Sequence, residues 1–165
     1  MESETELYAL AERVGALMQS RKQCLAIAES CTGGWVCQAI TDVAGSSAWF
    51  ERGFVTYSNE AKQELLGVPE SVIREHGAVS ENTVRAMTAG VLRHSRADCA
   101  LAVSGIAGPS GATPDKPVGT VWFAWERRDG DCLSECLHFD GDRRSVRFQA
   151  VGWALKGILR RYGEV

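Results

Sequence analysis

The chain has 165 residues, 45% of them hydrophobic, with 18 basic and 21 acidic side chains for a net charge of −3. That length is one domain's worth, able to bury roughly 70% of the unfolded chain's surface, and the slight acidity excludes the basic footprint of a nucleic-acid binder. The opening Met1-Glu-Ser-Glu-Thr-Glu6 lacks the basic-then-apolar order of a signal peptide, and no apolar run approaches the roughly 20 residues of a membrane span. A cytoplasmic protein with no nucleic-acid or membrane partner is expected.

Leu7, Leu10, Val14, Leu17 and Met18 recur at helical spacing and predict an amphipathic first helix over 5–20, acidic at its start and followed by Arg21-Lys22. Cys24-Leu-Ala-Ile-Ala28 is a short continuous apolar run, the form of a strand buried on both faces. Glu29-Ser-Cys-Thr-Gly-Gly34 follows it directly, and a second helix is predicted over 34–41. This succession puts Ser30 at the carboxyl edge of the sheet, where open α/β folds bind ligands. Gly45-Ser-Ser47 reads as a turn, 49–57 as a strand, and Ser58 or Asn59 as the cap of a short helix carrying Glu60, Lys62, Leu65 and Leu66.

His76 precedes Gly77 at a helix end, and Ser80 starts a helix running to about Ser95 with Val84, Met87, Val91 and Leu92 on one face. Asp98 to Ser104 is a third apolar strand, emptying into Gly105-Ile-Ala-Gly-Pro-Ser-Gly111. Residues 118–127 and 132–139 predict an antiparallel pair turning at Asp129-Gly130, and a long helix is predicted over 143–161. Strands alternating with helices and then a hairpin predict an α/β fold: a three-layer α/β/α sandwich with a mixed parallel/antiparallel sheet, one domain over 1–165.

Three constellations can carry chemistry. In Glu29-Ser-Cys-Thr-Gly-Gly34, a hydroxyl between a buried strand and a helix start sits among free N–H groups that can stabilise an oxyanion, which suits acyl transfer. Ser30 or Thr32 equally reads as a simple cap of that helix, and Cys31 as an activated thiolate at its N-terminus. A serine nucleophile needs a base, and none of His76, His94 and His138 has an Asp partner in a motif. A buried lysine with a neutral amine is the natural substitute, and Lys62, one turn into its helix, is the candidate; an ordinary exposed helical lysine is the other reading. The loop after Ser104 can offer N–H groups to a phosphate or be a plain crossover. The turn before Arg143 and Arg144 can deliver a guanidinium to an anion, or leave both in solvent.

Six cysteines, Cys24, Cys31, Cys37, Cys99, Cys132 and Cys136, contain no CxxC pair, and several, such as Cys24 and Cys99, sit inside apolar runs, so free thiols acting there as small buried hydrophobes are expected rather than disulfides or a zinc site. Five tryptophans, Trp35, Trp49, Trp122, Trp125 and Trp153, either all pack in the core or partly anchor an interface; a homodimer is expected.

Ala28-Glu-Ser-Cys-Thr-Gly-Gly34, Phe54-Val-Thr-Tyr-Ser-Asn59 with Lys62, Gly77-Ala-Val-Ser80, Ser104-Gly-Ile-Ala-Gly-Pro109 and Lys116-Pro-Val-Gly-Thr-Val121 together resemble the CinA C-terminal domain family, above all its stand-alone nicotinamide-nucleotide amidases. The resemblance covers nearly the whole chain. It implies hydrolysis of a small-molecule nucleotide, nicotinamide mononucleotide, to nicotinate mononucleotide and ammonia in pyridine-nucleotide salvage, with no metal and no cofactor. It implies Ser30 as nucleophile, Lys62 as base, Tyr57 orienting or relaying the proton, and Cys31 as a packing residue. The N–H groups around Thr32, Gly33 and Gly34 would hold the oxyanion. Ser104, Gly105, Gly108 and Arg143 would contact ribose or phosphate.

Overall fold

The computed structural model describes residues 3–163, so the domain limits expected at 1 and 165 lie outside the described residues. The elements run α1 (Glu4–Ser20), β1 (Leu25–Glu29), α2 (Trp35–Thr41), a 3-10 turn at Ser46–Ala48, β2 (Phe50–Val55), α3 (Asn59–Leu66), α4 (Glu70–His76), α5 (Glu81–Arg93), β3 (Cys99–Gly105), β4 (Thr120–Arg127), β5 (Cys132–His138) and α6 (Arg143–Tyr162). Ser3 and Glu6 form a reciprocal capping box that starts α1.

One five-stranded sheet has the order β2-β1-β3-β4-β5. β2, β1 and β3 are parallel, whereas β4 lies antiparallel to β3 and to β5. Alternation in the central strands sorts side chains by size between the two faces. Leu25, Ile27, Cys99, Leu101, Val103, Phe123 and Trp125 pack under α1, α2 and α6. Ala26, Ala28, Ala100, Ala102 and Ala124 meet Leu66, Ile73, Val84, Met87 and Val91 of α3, α4 and α5. Alanines on that face bring α5 close to the sheet, so enlarging Ala102 would overpack the contact at a cost of about 1–3 kcal/mol. This is the mixed-sheet, three-layer α/β/α sandwich expected.

Because β1, β2 and β3 are parallel, Glu29, Val55 and Gly105 end at one edge, and the segments leaving them share a crevice. Trp49 and Trp125 are core residues, while Trp35, Trp122 and Trp153 are partly covered. Among the cysteines Cys31 and Cys99 are buried, Cys24, Cys37 and Cys132 half-buried, and Cys136 exposed, so of the two in apolar runs Cys99 is a core hydrophobe and Cys24 is only partly covered. Among the described residues no helix is long and apolar enough to cross a membrane.

Candidate active site

β1 stops at Glu29 because the chain turns back on itself: Gly33 N–H donates to the Ser30 carbonyl at 3.0 Å and Trp35 N–H to that of Thr32 at 3.0 Å. Gly33 and Gly34 have φ of 61° and 103°, a left-handed backbone that favours glycine and delays the start of α2 to Trp35. Neither Ser30 nor Thr32 caps that helix. The wholly buried Glu29 carboxylate does, accepting from Gly34 N–H at 3.2 Å, Val36 N–H at 2.9 Å and Cys37 N–H at 2.9 Å. Ser30 is thereby left out of the cap, its hydroxyl facing the Tyr57 carbonyl at 3.4 Å and the Lys62 amine at 3.0 Å.

The candidate base arrives from the neighbouring strand. After β2, Ser58 caps α3 by accepting from Ala61 N–H at 3.0 Å, which turns the helix so that Lys62 points back under the sheet edge. Lys62 is only 1% exposed, so the exposed-lysine reading does not hold. Its Nζ stands 3.0 Å from Ser30 Oγ and donates to the carbonyls of Thr56 at 2.8 Å and Tyr57 at 3.1 Å. No carboxylate pairs with it among the described residues, and burial lowers its pKa from 10.5 to about 8. A longer contact of 3.5 Å runs to the Ser58 carbonyl; as an ammonium Nζ donates to Ser30 Oγ, and once neutral its lone pair can accept the serine proton from the same position.

Cys31 lies beside Ser30 with its thiol pushed up to about 12, first by burial and then by the Glu29 carboxylate. It is a protonated thiol near neutrality, and the activated-thiolate reading fails because the helix end that would activate it is already occupied by Glu29.

Ser30, Tyr57, Lys62, Ser104, Gly105, Gly108 and Arg143 line one crevice of about 300 Å³, together with Cys31 and Ala78. Its lining carries two basic side chains, no acidic one and no histidine. Arg143 braces two walls, donating from Nη1 to the Gly108 carbonyl at 2.8 Å and from Nη2 to the Tyr57 hydroxyl at 3.2 Å. The Tyr57 phenol therefore belongs to the rim, and it is the Tyr57 main-chain carbonyl that reaches Lys62. Ser104 Oγ donates to the Ala78 carbonyl at 2.8 Å and ties the 77–79 segment to β3. Arg144 instead lies over the Trp35 ring, 4.9 Å from its centroid.

Thr32, Gly33 and Gly34 stand behind Ser30, outside the crevice lining. The N–H groups of Gly33 and Gly34 are already engaged by Ser30 and Glu29, whereas those of Cys31 and Thr32 find no acceptor in any other described residue. Glu29 and Arg147 are the two residues that sequence reasoning missed. Arg147 donates from Nε to the Cys31 carbonyl at 3.0 Å and from Nη2 to that of Thr32 at 3.2 Å. Among the described residues no group of three or more His, Cys, Asp and Glu side chains could hold a metal ion.

Residues 7–162 match the CinA C-terminal domain family. Nicotinamide-nucleotide amidohydrolase PncC of Escherichia coli (strain K12) is 51% identical over 160 residues, covering 97% of this chain and 97% of that protein. The protein of the same name from Pseudomonas putida is 53% identical over 152 residues, covering 92% and 94%. Among solved structures, the competence/damage inducible protein CihA from Agrobacterium tumefaciens superposes with a TM-score of 0.92 at 39% identity, covering 99% of this chain and 98% of that one.

Proposed function

The chain belongs to the CinA C-terminal domain family, and from that premise we propose that it is a serine amidohydrolase that converts nicotinamide mononucleotide to nicotinate mononucleotide and ammonia. One observation carries the reading: a buried amine without a counter-charge, its pKa lowered to about 8, 3.0 Å from a serine hydroxyl at the sheet's carboxyl edge. The named relatives from Escherichia coli and Pseudomonas putida supply the substrate.

In this mechanism Ser30 Oγ attacks the carboxamide carbon as its proton passes to Lys62 Nζ. The carbonyl oxygen becomes an oxyanion, for which the N–H of Cys31, in the crevice lining and beside that of Thr32, is the donor at hand. Lys62 returns the proton to the departing nitrogen, ammonia leaves, and Ser30 holds a nicotinoyl ester. Water then attacks that ester with Lys62 as base, releasing the carboxylate and restoring the hydroxyl. The pyridinium's positive charge makes the carboxamide more electrophilic than a simple amide. Arg143 is the group for the phosphate, and a lining free of carboxylates suits an anionic ligand.

Ammonia release from nicotinamide mononucleotide, measured in chelator for the wild type, Ser30→Ala and Cys31→Ala, tests the proposal. Turnover by wild type and Cys31→Ala but not Ser30→Ala is the expected result. No turnover by the wild type would overturn the substrate assignment.

A further inference from the structure

We infer that Arg147 is a positioning residue for acyl transfer, holding the Ser30 turn from behind through a chain of two peptide groups that ends on the N–H of Cys31. The inference rests on Ser30 being the nucleophile. α6 delivers two guanidiniums one turn apart: Arg143 faces the crevice, and Arg147 reaches the back of the turn that carries Ser30. Its Nη2 donates to the Thr32 carbonyl at 3.2 Å. In a trans peptide the N–H points opposite to the C=O, so the Gly33 N–H of that same peptide faces away from Arg147, and it donates to the Ser30 carbonyl at 3.0 Å. The peptide of the Ser30 carbonyl in turn carries the N–H of Cys31, a residue of the crevice lining, which finds no acceptor in any other described residue.

Each link polarises the next. A cation at one end thus strengthens and orients the free donor at the other, where the substrate's carbonyl oxygen would gain charge. Two further contacts fix the guanidinium in this role. Nε donates to the Cys31 carbonyl at 3.0 Å, and the group lies over the Trp35 ring, 5.4 Å from its centroid. A fork that satisfies two adjacent carbonyls is something lysine cannot reproduce.

The test compares Arg147→Ala and Arg147→Lys with the wild type on nicotinamide mononucleotide. Because the chain acts on the transition state and not on the bound substrate, kcat should fall about 100-fold for Ala and about 10-fold for Lys, with KM within about threefold of wild type. The pH midpoint of the rate should stay near the Lys62 value of about 8. Guanidinium chloride far below its denaturing concentration should restore part of the activity of Arg147→Ala and none to Ser30→Ala.

Phosphonylation of Ser30 by a fluorophosphonate reads the same step without the nucleotide: the Oγ–P bond forms, fluoride leaves and Lys62 takes the hydroxyl proton. It should slow in both variants. Wild-type kcat and phosphonylation rate in Arg147→Lys would overturn the inference while leaving the serine reading standing; should Arg147→Ala fail to fold, the Lys variant decides alone. Wild type that is phosphonylated at Ser30 but does not release ammonia would overturn only the substrate. Wild type that is never phosphonylated there would overturn the nucleophile and this inference with it.

Discussion

On either side of Ser30 the molecule buries one ionisable side chain, and it surrounds the two in opposite ways. Glu29, on the β1 side, accepts three N–H groups at the head of α2; its charge is matched by main-chain donors. Lys62, on the α3 side, meets three main-chain carbonyls and the Ser30 hydroxyl and, among the described residues, no anion, and desolvation brings its pKa down to about 8. A buried charge given every partner it needs becomes scaffold, because removing it leaves orphaned donors. One left without a counter-charge is free to change protonation state, which is what a general base must do.

The contrast breaks most sharply under substitution of the amine. Lys62→Met should lower kcat by about 10⁴-fold, as should Ser30→Ala, because the two atoms act as one unit; ammonia release from each variant and from the double variant measures it. The double variant should be no worse than either single one. Independent, multiplying losses would mean that the serine and the lysine serve different steps.

A second consequence of the same amine is a slope in stability. Below about pH 8 both the folded and the unfolded chain carry the Lys62 proton; between about 8 and 10.5 only the unfolded chain does. The unfolded state then binds more protons, so folding is favoured as pH rises. The unfolding free energy of the wild type, less that of Lys62→Met, should increase across that window by about 3 kcal/mol. Denaturant titrations at several pH values read the difference, and a flat or falling curve would mean that the amine is not held against its charge.

Glu29→Gln is the matching cut on the other side. The amide keeps the shape but turns one acceptor into a donor facing N–H groups, at about 2 kcal/mol, which is about 4–8 °C in Tm for a chain of this size. Turnover per folded molecule should stay within about tenfold. A variant of wild-type stability and no activity would move Glu29 from scaffold to chemistry.

The pattern of what could be read beforehand follows the range of the interactions. Strands β1 and β3, the Asp129-Gly130 hairpin turn and the caps at Ser58 and Ser80 depend on neighbours within a few residues, and they stand where periodicity and turn chemistry predict. Lys62 was legible as a candidate because histidines offered no partner, yet only the fold takes it across 32 residues to Ser30. Glu29 was missed because a cap is sought next to its helix, and here it comes from the preceding strand, past two glycines with positive φ. The Gly33-Gly34 pair was the available signal that α2 begins late. Arg147 gave no signal, since it meets Cys31 across 116 residues.

The smallest effect expected is at Cys31, and its smallness is informative. A thiol next to the proposed nucleophile at a strand-to-helix turn is the first suspect for the reaction itself. Here Glu29 removes the two supports a thiolate needs: it occupies the N–H groups of α2, and it adds its own negative charge to the cost of burial. With the pKa pushed up to about 12, the thiolate fraction at pH 8 is about one in 10⁴. Cys31→Ser should therefore keep kcat within about threefold of wild type and resist loss of activity to iodoacetamide no better than the parent does. A fall as large as that of Ser30→Ala, or rapid alkylation at Cys31, would show that Glu29 does not silence the thiol and that its carboxylate is less completely occupied than its three hydrogen bonds imply.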